Sequence, residues 1–326
     1  MYNGLPTAAK EKVLTDKKLV DIETDKTGVT VTCADGSVYY GSIVIGADGV
    51  HSKTRSLMRD LALKDDPFRP WDPEEPFTAT YKLLFGSFPT PSESNLGYDT
   101  QSRDKSIAYF SGSERSWFFL YKKLANPTRE RVNYTRQDIE AVAEEFAEYP
   151  LTKTVKVKDV WPHMSGAGMT NLDEGIVHHW SLGRIVLVGD ACHKLTTHLG
   201  LGFNNGVQDI VVLCSRLREV IRATPNGNPD VSNLTQLFEK YETVRKSPVS
   251  SLMADFAHSR QEARCQSWAN TIYYVISRYL VVPKFVEDIG VNFIISPELQ
   301  KGQVLDYVHS KEPMKGKLSW LHPMMA

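Results

Sequence analysis

A chain of 326 residues is long enough for two domains, or for one domain carrying an insertion. Its 41% hydrophobic and 24% charged residues are ordinary for a globular protein, and 38 basic against 39 acidic side chains leave a net charge of −1. That balance argues against a nucleic-acid partner and against charge-driven membrane binding.

Cys33, Cys192, Cys214 and Cys265 have no CxxC or paired spacing, so the sequence predicts no disulfide framework and a reducing, cytoplasmic setting. The opening MYNGLPTAAKEK lacks the apolar core of a signal peptide. Residues 13–22 (VLTDKKLVDI) read as a strand, 28–33 (GVTVTC) as its partner, and Asp35-Gly36 as hairpin turn chemistry. Residues 38–41 then lead into a buried strand over 42–47. The proline- and charge-rich 64–76 reads as a crossing between domains. From Phe77 to Leu124 alternation and aromatic content predict an antiparallel sheet, with turns at 89–94 and 111–115. Its tyrosines, Tyr98, Tyr109 and Tyr121, read first as packing residues with a wet tip. Residues 136–149 predict an amphipathic helix, apolar at Ile139, Val142, Ala143 and Phe146. Residues 152–161 look strand-like. Beyond a turn-rich loop at 224–233, helical spacing returns, with Pro248 near the first turn of a second helix or kinking it. The apolar 269–295 reads as helix packed on the core, with room left for a peripheral membrane contact but no span. His178-His179, and His193 with His198, lack companions at ligand spacing, so no metal is expected.

The chemistry concentrates in Gly183 to Leu213. Arg184 to Val188 is a β-branched run of strand length, Gly189-Asp190 places a carboxylate at its end, and Gly200 and Gly202 free the backbone. From Asn204 the sequence reads as a helix with Val207, Ile210, Val211 and Leu213 along one side. Ligands of open α/β sheets sit where a strand's C-terminal end meets such a helix N-terminus. Asp190 suits a sugar or polyol hydroxyl. The plainer alternative is a buried strand–turn–helix with Asp190 as a cap. A second motif, Asp48, Gly49, Ser52 and Arg55, follows SIVIGA. It reads either as a ligand site, with Arg55 bridging phosphates, or as a β-turn and a helix capped by Ser52.

In order and spacing, Gly189, Asp190, Ala191, His193, Gly200, Gly202, Asn204 and Asp209, together with Asp48, Gly49, Ser52 and Arg55, resemble two motifs of the FAD-dependent monooxygenases built like p-hydroxybenzoate hydroxylase. The resemblance covers about residues 13–260, and LDEGIVHHWSLGRIVLVGDACHK is most similar to fungal monooxygenases of terpenoid and meroterpenoid biosynthesis. Three positions depart from the pattern: Thr197 stands where proline is usual, Leu201 where glutamine is usual, and Phe203 where a small residue is usual.

The resemblance implies an α/β fold: a partial Rossmann-like FAD-binding domain, an inserted antiparallel β-sheet substrate domain and a C-terminal helical region. The expected boundaries are 1–66, 67–165, 166–223 and 224–326. It also implies an enzyme that binds FAD, takes electrons from NAD(P)H, and uses O2 to epoxidise or hydroxylate a small lipophilic, prenylated or terpenoid substrate. Asp48, Gly49, Arg55, Gly189, Asp190, Gly200, Gly202, Phe203 and Asn204 would hold the cofactor, and Tyr98 would be the catalytic candidate. The family's Gly-x-Gly-x-x-Gly unit, with an acidic residue about 20 positions on, is not among these residues. The sequence therefore reads as an FAD-binding domain without its ADP-binding segment. The alternative is a truncated, inactive chain that at most binds.

Overall fold

Asp35-Gly36 behaves as its turn chemistry dictates: Gly36 takes φ +82°, and the Cys33 amide donates to the Ser37 carbonyl at 2.9 Å. The structure, a computed structural model, describes residues 2–89, 94–102, 104–195, 197, 200–252 and 301–305. Its first elements are α1 (Thr7–Lys10), β1 (Leu19–Thr24), β2 (Val29–Cys33), β3 (Val38–Gly41), β4 (Val44–Gly46) and α2 (Lys53–Asp65). Next come β5 (Thr78–Pro89), β6 (Gly97–Ser102), β7 (Lys105–Ser111), β8 (Arg115–Thr128), α3 (Arg136–Glu145) and α4 (Val157–Val160). The series ends with β9 (Gly166–Ile176), β10 (Ser181–Leu182), β11 (Ile185–Leu187), β12 (His193–Lys194), α5 (Gly202–Ala223) and α6 (Val231–Leu252). Contacts divide the chain into two compact units, one of residues 1–74, 177–193 and 205–246, the other of 75–176, 194–204 and 247–326.

The first unit is mixed α/β. β1, β2 and β3 form an antiparallel meander, while β11 pairs antiparallel with β10 and parallel with β4. All of β11 is buried, which is why its sequence is an unbroken apolar run. Gly46 is required here, since a Cβ would lie 2.8 Å from both Leu187 and Thr54. The core of this unit includes Met58, Trp180, Leu213, Leu237, Phe238 and Tyr241. Arg184, 1% exposed, ties its loops by donating to the Ser42, Lys26 and Pro229 carbonyls at 3.0, 2.6 and 3.4 Å.

The second unit is built on a sheet in the order β9-β5-β8-β7-β6, antiparallel at each of these pairings. Leu84, Phe88, Ile107, Tyr109, Phe118 and Leu120 pack with Val142, Ala143 and Phe146 of the α3 segment. Thr135 starts α3 with a reciprocal capping box to Asp138. On the sheet's other side Tyr81, Leu83, Tyr121 and Leu172 cluster with Ala108 and Phe119.

Several expectations need correcting. The first strand begins at Leu19 rather than at 13. Residues 152–161 are not a strand: Asp159 accepts from the Lys156 amide at 2.8 Å, and Val157 and Val160 bury one side of the short α4. Polar GYDTQS shows no apolar alternation, yet forms β6 by pairing along β7. α6 runs through Pro248 as one helix. The inward side of α5 carries Asn205, Asp209, Val212 and Leu213, whereas Val207 and Ile210 are about 40% exposed. The apolar 269–295 lies outside the described residues. No described helix is long and apolar enough to cross a membrane.

Candidate functional site

Parallel pairing of β4 and β11 aligns Gly46 with Leu187, and the Val188 amide donates to the Gly46 carbonyl at 3.0 Å. Both strands therefore end on the same side, and each delivers one motif there. After β4, Gly49 turns the chain at φ +81°. The Asp48 carboxylate accepts from the Ser52 hydroxyl at 2.5 Å, the Thr54 amide at 2.9 Å and the Thr54 hydroxyl at 3.0 Å. Ser52 in turn caps α2 by accepting from the Arg55 amide at 2.9 Å. The cap reading of this motif therefore holds alongside any ligand role.

Arg55 is 6% exposed and bridges the two motifs. One guanidinium nitrogen donates to the Ala191 carbonyl at 2.9 Å and the other to the Val50 carbonyl at 2.7 Å. After β11, Gly189 takes φ +60° and starts a single 3-10 turn over Gly189–Ala191, with Asp190 half-buried within it. The turn lies against Gly206 of α5, where a Cβ on Gly206 would stand 3.5 Å from the Gly189 Cα.

Behind the turn is a buried polar cluster. Asp209, 0% exposed, accepts from the Gly189 amide at 2.8 Å and pairs with His193 Nε2 at 2.6 Å through Oδ2. Its Oδ1 accepts from Arg245 Nε at 2.7 Å. Arg245 Nη2 reaches the Asn205 side-chain oxygen at 3.0 Å and its carbonyl at 3.3 Å. Tyr241, one turn earlier on α6, donates to the Leu187 carbonyl at 3.1 Å, and Trp180 packs over both His193 and Tyr241. Burial alone would raise the Asp209 carboxyl, but the His193 hydrogen bond and the Arg245 charge hold it below the usual carboxylate range. Burial pushes the Cys192 thiol and the Tyr241 phenol well up, so both stay protonated.

Ligand atoms of Cys192, His193 and Asp209 come within 4.8 Å of one another, a spacing that could hold a cation. The chemistry argues against it. Both Asp209 oxygens are already engaged, Arg245 places a positive charge on that carboxylate, and the thiol is not ionised. The His178-His179 pair is likewise spoken for: Asp72 accepts from both amides at 2.7 and 2.8 Å and meets His179 Nδ1 at 2.8 Å.

Gly200, Gly202, Phe203 and Asn204 belong to the second unit. Gly200 takes φ +63°, and its amide donates to the Thr197 carbonyl at 3.1 Å. Gly202, Phe203 and Asn204 open α5, whose first turn holds no acidic residue, and Phe203 is 64% exposed. His198 lies outside the described residues. Tyr98, on β6, packs on the helix-covered face with its ring centroid 6.2 Å from that of Tyr109. Phe85, Phe110 and Trp117 stand on the opposite face and are 41–52% exposed.

His193 and Asp209 carry motif positions, but their partnership was not read from the sequence, and Arg245 was missed altogether. A signal existed. Leu234, Phe238, Tyr241 and Arg245 recur at helical spacing, so the stripe that buries the first three also buries a charge that must find a partner.

The chain matches the family described as FAD binding domain over residues 80–253. It is 44% identical over 199 residues to the FAD-dependent monooxygenase SAT1 of Stachybotrys chartarum, covering 60% of this chain and 66% of that protein. Against the FAD-dependent monooxygenase prhF of Penicillium brasilianum it is 32% identical over 277 residues, covering 83% and 58%. The chain thus spans about two-thirds or less of the length of these relatives. Among solved structures, Klebsiella pneumoniae HpxO complexed with FAD and uric acid superposes with a TM-score of 0.59 at 20% identity, covering 86% of this chain and 64% of that one. At that identity the likeness speaks for the fold.

Proposed function

The chain belongs to the FAD-binding-domain family of flavin monooxygenases, and we propose that the protein uses FAD, NAD(P)H and O2 to place one oxygen atom on a small lipophilic substrate. Epoxidation of a prenyl double bond or hydroxylation of a terpenoid intermediate is the finer form of this reading. The carrying observation is the joined pair of motifs: two parallel strands end together, and Arg55 ties the turn after one to the turn after the other.

The residues present fit a flavin. Among the described residues, a Cβ on Gly49 or on Gly200 would meet nothing within 4 Å, so each turn leaves open space there beside its backbone. Asp190 would accept from a ribityl or sugar hydroxyl, and Gly202, Phe203 and Asn204 would offer first-turn amides of α5. Asp48 and Gly49 set the other turn, and Arg55 holds both in place. Bound FAD would supply the redox chemistry and the activation of O2. The protein's part is to orient the substrate and exclude water. For that task Phe85, Phe110 and Trp117 present an apolar surface suited to a lipophilic molecule. Tyr98 packs on the helix-covered face, across the sheet from these three side chains, so its hydroxyl is not brought to this surface and the expectation of a catalytic Tyr98 is not carried into this reading.

The test titrates the chain with FAD, and in parallel with FMN and riboflavin, following flavin fluorescence and absorbance. Binding of at least one isoalloxazine ligand, weakened tenfold or more by Asp190→Ala, is expected. Absence of binding by all three, from a chain that melts cooperatively, overturns the reading. NADPH oxidation stimulated by prenylated aromatic compounds would then narrow the substrate class.

A further inference from the structure

The Gly189–Asp190 turn is held on one side by Arg55, which donates to the Ala191 carbonyl at 2.9 Å, and is closed by the Cys192 amide on the Gly189 carbonyl at 3.0 Å. Glycine at φ +60° pays a large entropic cost on ordering, and its neighbour Gly206 also lacks a side chain to brace it. From behind, the turn is fixed through the Gly189 amide, which donates to Asp209 Oδ2 at 2.8 Å. That carboxylate is fully buried, so its orientation depends on the donors around it: His193 Nε2 on one oxygen and Arg245 Nε on the other. Arg245 also reaches Asn205, through the side-chain oxygen at 3.0 Å and the carbonyl at 3.3 Å, in the first turn of α5. A single guanidinium from α6 therefore grips the two walls of the seat within the first unit.

We propose that Arg245 is a positioning residue for the flavin, acting from behind the seat: through Asp209 it sets the Gly189–Asp190 turn, and through Asn205 it sets the start of α5. The proposal rests on the flavin reading above. Its specific claim is that geometry, and not only charge neutrality, is what Arg245 provides. A lysine ammonium is a point charge without the planar fork that reaches Asp209 and Asn205 together.

Three variants of the full chain separate these roles. Arg245→Lys keeps the charge and loses the fork. Arg245→Met leaves Asp209 buried and uncompensated. The double variant Arg245→Met with Asp209→Asn removes both charges and relieves that penalty. For each, the melting temperature without flavin and the dissociation constant for FAD are measured, together with hydrogen exchange at the Gly189 amide. The expected result for Arg245→Lys is a tenfold or greater loss of FAD affinity and a tenfold or greater acceleration of Gly189 exchange, with a cooperative melt retained. The double variant should recover melting temperature relative to Arg245→Met without recovering FAD affinity. If FAD affinity returns together with stability in the double variant, or if Gly189 exchange is unchanged in Arg245→Lys, Arg245 merely neutralises a buried charge and the proposal falls. Should the parent chain bind no flavin, the flavin reading fails by itself, and Gly189 exchange still decides whether Arg245 sets the turn.

Discussion

The two units of this chain solve the problem of an ordered interior in opposite ways. The second is held by rings and aliphatic side chains on an antiparallel sheet, with Phe118 and Leu120 fully buried under α3. The first places a charged triad, Asp209, His193 and Arg245, where a core would normally be apolar, all of them 7% exposed or less. Apolar packing tolerates exchange of one hydrophobe for another. A buried charge tolerates nothing that removes its partner. The contrast places the sensitive chemistry of the protein in the unit whose turns carry the two motifs.

The sharpest way to break that comparison is Asp209→Ala. It strands Arg245 and the Gly189 amide together, and a loss of about 3–5 kcal/mol is expected by urea denaturation, enough to threaten folding of the unit. The same carboxylate gives the unit an acid limit. Its folded pKa lies below the unfolded value of about 3.9. The stability it contributes is therefore complete above that pH, and is lost as pH falls through the depressed folded value. A pH series of denaturation curves should show this loss in the parent chain and not in the double variant without both charges.

The second unit is best probed by a pair of neighbours. Phe118→Ala, from a fully buried site beside Phe88 and Trp161, should cost about 3–5 kcal/mol. Trp117→Ala, one residue earlier and 41% exposed on the other face, should cost well under half of that and act instead on substrate affinity. Equal losses of stability would mean that the two faces of the sheet are not as different as the burial pattern makes them. Between these extremes stands Gly46→Ala in the first unit. Its new methyl would come 2.8 Å from Leu187 and Thr54, and about 1–3 kcal/mol of overpacking is expected from the shift in melting temperature.

How much of this was legible in the sequence follows the same divide. In the sheet, period-two alternation is the packing, so TATYKLLFGSF and SWFFLYKKL could be read as strands with their buried faces. β6 and β9 escaped, because their polar and glycine-rich residues are ordered by pairing with β7 and β5 rather than by a clear apolar face of their own. In the first unit the motif residues were legible as a pattern, and Ser52 as a cap, since both depend on local backbone geometry. The inward side of α5 was misread because Asn205 and Asp209 point inward where hydrophobic periodicity looks for valine and isoleucine. Their burial depends on Arg245, 36 residues further along the chain, and no local rule connects the two.

The smallest expected effect tests whether burial, rather than pairing itself, carries the argument. Glu148 meets Lys156 at 2.7 Å, the same separation as Arg245 to Asp209. The Lys156 and Lys158 hydrogen bonds pull the Glu148 carboxyl down to about 2. Yet Glu148 is 64% exposed, and water and salt screen what the pair could contribute. Glu148→Gln should therefore leave the melting temperature unchanged within error. An NMR titration of the parent chain should still find the Glu148 carboxyl titrating well below an ordinary glutamate. The sign is that of Asp209: whatever stability the group adds is present above about pH 4 and fades toward pH 2. Two ion pairs of equal length, one silent on removal and one disabling, would show that desolvation gives the Asp209 cluster its hold on the turn. A clear loss of stability in Glu148→Gln would mean that the surface of the second unit also depends on its charges, and the contrast between the units would narrow.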